Sequence, residues 1–232
     1  MHKFIEKIKS LEERPAIFKN FINLDEINLF KKLFDELPTE INNFRQRILK
    51  KKWSTNFYPK FQNIYKNKLK AIIGDHELDN PKNKEGLESL GLFQESNAPV
   101  NLHVDAGFNF EKVIYKQALL PLSIGGETVI FKNRYYGCAT TFSIDPNELS
   151  AKGYNKRSSD HLKIFNGKDF DKDTHEKYLK HENIKNLKGL EVDLIYKWEL
   201  GDILIFDRTS LHCSSSNLKD KKLGFTTLTA KL

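Results

Sequence analysis

Cysteine is scarce in this chain. Cys138 and Cys213 are the two present among 232 residues. Two thiols cannot staple a disulfide scaffold, and they lack the spacing of a cysteine metal site. Arginine is scarce as well: of 38 basic residues, only Arg14, Arg45, Arg47, Arg134, Arg157 and Arg208 carry a guanidinium. The net charge of +7 and the pI near 9.1 therefore come from lysine spread along the chain. Sequence-specific nucleic-acid readers depend on bidentate arginine contacts, so nucleic acid is a possible partner that the composition does not favour. No apolar run is long enough to span a bilayer, and a membrane partner is not expected. The start, Met1 to Lys9, interrupts its apolar residues with charge and has no signal-peptide core. These absences together predict a soluble, cytoplasmic protein. Internal repeats, low-complexity tracts and heptad runs are also lacking.

What is present is bulky core material: 39% hydrophobic residues, with 17 Phe, 8 Tyr and 2 Trp. That suits one domain over residues 1–232. Its first part, 1–89, reads as helical and strand support. Helical spacing predicts a short helix over 2–12, a strand over 16–22, and a second helix opened by Asn23 and Asp25. The apolar stripe of that helix is Leu24, Ile27, Leu29, Phe30, Leu33 and Phe34. Residues 40–73 are lysine-rich, with a third helix over 61–73, and 75–88 reads as an exposed loop. From about residue 90 the period becomes two. Strands are expected at 99–105, 112–122, 126–132, 137–143, 190–198, 202–207, 210–214 and 222–230, with Gly125-Gly126 as a hairpin signal. The polar stretch 144–189 interrupts them as an insertion, expected to cover a cavity mouth and to hold one helix over 174–182. The fold class is mainly β with N-terminal helices, a barrel or sandwich supported by a helical layer.

The chemistry concentrates in Asn101-Leu102-His103-Val104-Asp105. Alternate residues of a strand share a face, so His103 and Asp105 point one way while Leu102 and Val104 point to the core. A third ligand follows the strand that starts at Gly201-Asp202, at His212. Two histidines and a carboxylate form a facial triad that leaves coordination positions open on iron(II). His2, His76, His161, His175 and His181 have no comparable context.

With these motifs and with Gly125-Gly126-Glu127-Thr128, the chain resembles the iron(II)/2-oxoglutarate-dependent dioxygenase superfamily over about residues 90–230, leaving out 144–189. The Gly-Gly-Glu-Thr segment and the position of Lys222 resemble the prolyl-hydroxylase branch, or a phytanoyl-CoA-hydroxylase-like one. The resemblance implies a double-stranded β-helix core (jelly-roll, cupin-like), with Fe(II) as cofactor, 2-oxoglutarate as co-substrate and O2 as oxidant. It implies His103, Asp105 and His212 as the metal-binding and catalytic residues. Oxidative decarboxylation of 2-oxoglutarate to succinate and CO2 would then drive oxidation, usually hydroxylation, of a substrate C–H bond. Related halogenases lack the carboxylate that Asp105 supplies here.

In most of that superfamily an arginine on a late strand holds the distal carboxylate of 2-oxoglutarate. No arginine follows Arg208, which leaves Lys219, Lys221, Lys222 and Lys231. Lys222 lies ten positions after His212 and shares a strand face with Gly224 and Thr226, so Lys222 and Thr226 are the expected co-substrate residues. The competing reading makes Lys222 the last solvated charge of a turn. Arg134, Tyr135, Tyr136, Tyr115, Gln117 and Arg208 are secondary candidates for the cavity wall, and for each ordinary strand packing or solvent exposure is the stronger reading. Cys213 should face the core. The substrate class stays open between a small molecule and a peptidyl residue. Two rival functions remain: a zinc-type hydrolase on the same ligands, and a non-catalytic metal-binding β-barrel module that binds a polyanion.

Overall fold

The computed structural model describes residues 2–43, 47–105, 111–136, 142–143, 155–156, 168–218 and 220–232. Helix α1 spans His2–Lys9, strand β1 spans Ala16–Phe18 and helix α2 spans Leu24–Glu36. Asn23 caps α2: its side chain accepts from Glu26 N, and the Glu26 carboxylate accepts from Asn23 N. This reciprocal capping box satisfies donors that a helix start leaves without partners. Strands β2 (Ile41–Asn43) and β3 (Ile48–Ser54) precede helix α3 (Pro59–Ile73). Then come β4 (Glu77–Leu78), β5 (Ser89–Ser96), β6 (Val113–Pro121) and β7 (Glu127–Arg134). The two-residue strands β8 (Phe142–Ser143) and β9 (Asn155–Lys156) pair in parallel. Helix α4 (Lys172–Tyr178) and a 3-10 turn (Ile184–Leu187) lead to β10 (Val192–Lys197), β11 (Ile203–Asp207), β12 (Ser210–Ser214) and β13 (Lys222–Lys231).

Two antiparallel sheets face each other. The larger has the order β1-β11-β6-β13-β5-β3-β2, with β4 on β13, and the smaller is β10-β7-β12. After β6 the chain changes sheet repeatedly. It passes from β6 in the large sheet to β7 in the small one, from β10 to β11, from β11 to β12, and from β12 to β13. That alternation is the winding of a double-stranded β-helix, the core that the family resemblance implied. The Gly125-Gly126 pair does not close a hairpin. With φ of 96° and 79° it turns the chain between sheets, and β6 and β7 do not pair. Gly201 (φ 85°) makes the β10–β11 turn, where a Cβ would lie 2.8 Å from the Ile22 carbonyl oxygen, so no larger residue fits.

Helices α2 and α3 cover the outer face of the large sheet. Phe30, fully buried, sits among Trp53, Phe61, Tyr65, Phe93 and Phe225, with ring centroids 5.0–6.1 Å apart. Those aromatics draw one face of β3, β5 and β13 outward against the helices. The alternate residues of the same strands then face between the sheets.

The structure departs from the sequence-based expectations at several points. Residues 99–105 form no strand; only His103 bridges, to His212. Pro99 has no N–H to offer a ladder. The strand expected over 16–22 stops at Phe18, because Asn20 turns in the left-handed region at φ 55°. Strands β3 and β5 were not expected. Residues 137–141 lie outside the described residues. So do 144–154 and 157–167 of the insertion. Its described part, 168–189, is a packed layer rather than a cover. Phe170, Leu179 and Leu187 are buried with Leu102, Val104, Phe131 and Leu211 against the small sheet. The helix expected over 174–182 is α4. No helix among the described residues is long and apolar enough to cross a membrane.

Candidate metal centre and its cavity

His103 and His212 are joined backbone to backbone: His103 N donates to His212 O at 2.9 Å, and His212 N to His103 O at 3.0 Å. The alternation read from the sequence survives without a strand. Leu102 and Val104 are buried in the small-sheet core, while Asn101, His103 and Asp105 line the cavity between the sheets. The described end of the insertion holds this segment in place, since Glu182 Oε1 accepts from Leu102 N at 2.5 Å.

His103, Asp105 and His212 converge, with one donor atom of each within 4.8 Å of the others. His103 Nε2 lies 3.6 Å from Asp105 Oδ1, and His212 Nε2 lies 3.5 Å from Asp105 Oδ2. Ligands about 2.1 Å from one ion stand roughly 3–3.5 Å from each other, so these separations suit a shared cation. Both tautomers are set by the backbone. His103 Nδ1 is 2.7 Å from Asn101 O and His212 Nδ1 is 3.0 Å from Ser210 O. A carbonyl only accepts, so each Nδ1 carries a proton, which leaves each Nε2, on the Asp105 side, as the ring atom available to a cation. Gln117 Nε2 donates to Asp105 Oδ2 at 2.6 Å and fixes the carboxylate. Its Oε1 is buried with no partner among the described residues.

Electrostatics keep the donors in their ligating forms. Burial, with the charge of His212, pushes His103 down to about 4 against the opposing pull of Asp105. Burial pushes the Asp105 carboxyl up, but His103, His212 and Lys50 outweigh it and hold it well below the usual carboxylate range. Near neutral pH His103 thus presents a neutral imidazole and Asp105 a carboxylate.

The triad opens into a cavity of about 940 Å³. Lys222, Gly224 and Thr226 of β13 line it, and Leu223 and Phe225 pack on the helix-covered face, the parity expected from the sequence. Lys222 is buried rather than in an exposed turn, at 6% exposure. Its Nζ donates to Glu127 O at 3.3 Å and Ser214 Oγ at 3.4 Å, and sits 3.9 Å from the centre of the Trp198 ring. None of these is a carboxylate. Burial therefore pushes the ammonium down to about 7, despite the opposing charge of Glu127. Gly224 makes room for Trp198: a Cβ there would stand 2.7 Å from the indole.

Among the secondary candidates, Gln117 reaches the site and the others do not. Arg134 pairs with Asp207 at 2.6 Å and Glu12 at 3.3 Å, and Tyr136 donates to Glu12. Arg208 pairs with Asp79 at 2.6 Å, and Tyr115 donates to Ile73 O at 3.2 Å. Tyr135 packs with the small-sheet core, where Cys213 is also buried. Lys219 lies outside the described residues. Sequence reasoning missed Lys50, Arg47 and Gln94 on the wall. The available signal was the alternation in Ile48-Leu49-Lys50-Lys51-Lys52-Trp53, masked by three consecutive lysines.

No protein-family model matches the sequence, and no curated protein matches it either. Solved structures do match. HygX from Streptomyces hygroscopicus, crystallised with nickel and 2-oxoglutarate bound, aligns with 100% of this chain and 87% of its own. The TM-score is 0.54 and the identity 11%. The carbocyclase SnoK of nogalamycin biosynthesis, described as non-heme and alpha-ketoglutarate dependent, aligns over 97% of this chain and 83% of its own. Its TM-score is 0.53 at 9% identity. A 2OG-Fe(II) oxygenase family protein from Burkholderia pseudomallei covers 99% of this chain and 89% of its own, with TM-score 0.51 and 8% identity. The fold of this chain, a jelly roll with helices on one face of its larger sheet, is the fold of these 2-oxoglutarate-dependent enzymes.

Proposed function

We propose that this protein is an iron(II)- and 2-oxoglutarate-dependent oxygenase that oxidises, and in the simplest outcome hydroxylates, a C–H bond of its substrate. The observation that carries the reading is one cavity lined by two features. His103, Asp105 and His212 bring three donors together. Lys222, on the wall of the same cavity, is buried without a carboxylate partner among the described residues. A buried ammonium without an anion is costly, and a dicarboxylate bound in the cavity would offset that cost.

In this reading His103, Asp105 and His212 hold the metal, which supplies open coordination positions for the 2-oxo acid end of the co-substrate and for O2. Lys222 receives the distal carboxylate, with Thr226 on the same strand face as a hydroxyl partner. Gln117 keeps Asp105 oriented through its amide. Asn101 O and Ser210 O accept from the two Nδ1 atoms and orient both rings so that Nε2 faces Asp105. Leu119 and Trp198 give the inner part of the cavity apolar walls and limit water there.

The neighbouring folds include a carbocyclase and, in SnoN, an epimerase, so fold alone leaves the oxidative outcome open. A zinc-type hydrolase would use the same triad but gives Lys222 no role, and a polyanion-binding module has no use for a single ammonium at depth. The test is direct. Purified protein with Fe(II), ascorbate and 2-oxoglutarate is assayed for succinate, and calorimetry follows 2-oxoglutarate binding to the Mn(II)-loaded form. Binding that depends on both metal and Lys222 is expected. Absence of metal-dependent binding in the wild type would overturn the reading.

A further inference from the structure

Strand β3 alternates. Trp53 is buried against Phe30 and Phe61, and Lys51 lies over the Phe34 ring with its Nζ on Phe34 O at 2.5 Å. These residues face the helices. Ile48 and Lys50, of opposite parity, line the cavity. The register places Lys50 opposite Gln94 of β5, and Gln94 opposite Gly224 of β13, so the three form one row across the inner face of the large sheet. The neighbouring row runs from Ile48 through Ser96 to Lys222. Lys50 is thus two strands from Lys222's strand on the wall of the same cavity.

The other lysines of this strand have partners. Lys51 is held by Phe34 O, and Lys52 by Lys82 O and by Glu40 at 3.8 Å. The Lys50 ammonium has neither a hydrogen bond nor an ion pair among the described residues, yet its charge is felt at both His103 and Asp105. Arg47, the exposed turn residue just before that strand, also lines the cavity, and its guanidinium makes no ion pair among the described residues. Asp105 is the only acid among the described lining residues.

A charge count follows. The dication, Asp105 and the Lys222 ammonium leave two positive charges, and dianionic 2-oxoglutarate neutralises them. Lys50, half-buried on the cavity wall, and Arg47, exposed beside it, then remain uncompensated among the described residues, and the Lys50 charge interacts more strongly there than it would in bulk water. We propose that Lys50 and Arg47 bind a carboxylate or phosphate group of the substrate, so that the substrate of this site is an anion. The proposal rests on the oxygenase reading for its charge count. It adds what that reading leaves open, the chemical class of the molecule oxidised.

The test uses the full chain loaded with Mn(II) and saturating 2-oxoglutarate at constant ionic strength. Inorganic phosphate and acetate serve as probes, and paramagnetic relaxation of their 31P and 13C signals reports approach to the metal. The wild type is compared with Lys50→Gln, Arg47→Gln and the exposed-lysine control Lys197→Gln. We expect saturable relaxation of at least one probe in the wild type and in Lys197→Gln. Lys50→Gln should weaken it at least tenfold, and Arg47→Gln by less. Preference for phosphate over acetate, or the reverse, identifies which anion the pair takes. Circular dichroism and 2-oxoglutarate affinity in each variant separate a lost anion contact from a damaged fold. Relaxation of neither probe in the wild type, or an unchanged response in Lys50→Gln, would overturn the proposal and leave the oxygenase reading standing. So would a Lys50→Gln variant whose deficit lies in 2-oxoglutarate binding, since Lys50 would then serve the co-substrate. Failure of the wild type to bind 2-oxoglutarate at all removes both.

Discussion

His103 and His212 exchange both of their backbone hydrogen bonds, and their rings stand 4.1 Å apart. The pair is registered by main chain, so the two imidazoles share a face before any ion arrives. Metal affinity at such a site depends on deprotonated ligands and on little rearrangement.

Metal should therefore stabilise the fold through this pair and Asp105. Mn(II) or Ni(II) at a hundred times its dissociation constant adds about 2.7 kcal/mol to stability, read as a rise in melting temperature. His103→Ala and Asp105→Asn should abolish that rise. Gln117→Leu, which removes the donor on Asp105 Oδ2, should weaken metal binding by roughly ten- to a hundred-fold while leaving the ligands present. A Gln117→Leu protein with wild-type metal affinity would show that Asp105 needs no such support.

Lys222→Ala should weaken 2-oxoglutarate binding by roughly ten- to a hundred-fold, since a charge-assisted contact contributes about 1.5–3 kcal/mol. Metal binding should stay near the wild-type level. Lys222→Arg should rescue in part, because a planar fork must replace a compact ammonium beside Trp198. Calorimetry on the Mn(II) form separates these outcomes.

The pH response of Lys222 has two opposite signs. In the free protein its folded pKa, about 7, lies below the ordinary 10.5. Between those values the unfolded chain binds the extra proton, so stability rises with pH by up to about 1.4 kcal/mol per unit. Urea denaturation from pH 7 to 9.5 should show this slope in the wild type and lose it in Lys222→Met. Binding of 2-oxoglutarate favours the ammonium, so above pH 7 it should take up a proton and weaken by up to about tenfold per pH unit. A flat affinity between pH 7 and 9 would count against contact between Lys222 and the dicarboxylate.

Gly91→Ala tests the aromatic layer. A Cβ at Gly91 would lie 2.4 Å from Cζ of Phe225 and 2.6 Å from the Thr226 carbonyl oxygen. Overpacking of this kind costs about 1–3 kcal/mol, measurable as a lower denaturation midpoint. Because Phe225 and Thr226 occupy opposite faces of β13, the change should also reduce 2-oxoglutarate affinity.

Much of the site was legible because period-two patterning survives where regular structure does not. His103 and Asp105 share a face although residues 99–105 are no ladder, and Lys222 and Thr226 alternate with Phe225 as written. What could not be read follows from long-range pairing. Gly125-Gly126 carries the marks of a hairpin, and only the three-dimensional course of β6 and β7 makes it a turn between sheets. Lys50 resembled its neighbours Lys51 and Lys52 until the buried Trp53 set which way each faces. The polarity of 168–189 concealed a few buried anchors, Phe170, Leu179 and Leu187, that outweigh its charges.

Those anchors bear on how the protein can be re-engineered. A loop graft meant to change what enters the cavity would naturally replace the whole polar insertion. Removing Glu182 would release Leu102 N, next in the chain to His103, and removing Phe170, Leu179 and Leu187 would uncover one face of the small sheet. A transplanted loop should therefore join before residue 168 and retain everything from Phe170 to Leu190. Exchanges cut closer to β10 would disturb the candidate metal centre along with the specificity they set out to alter.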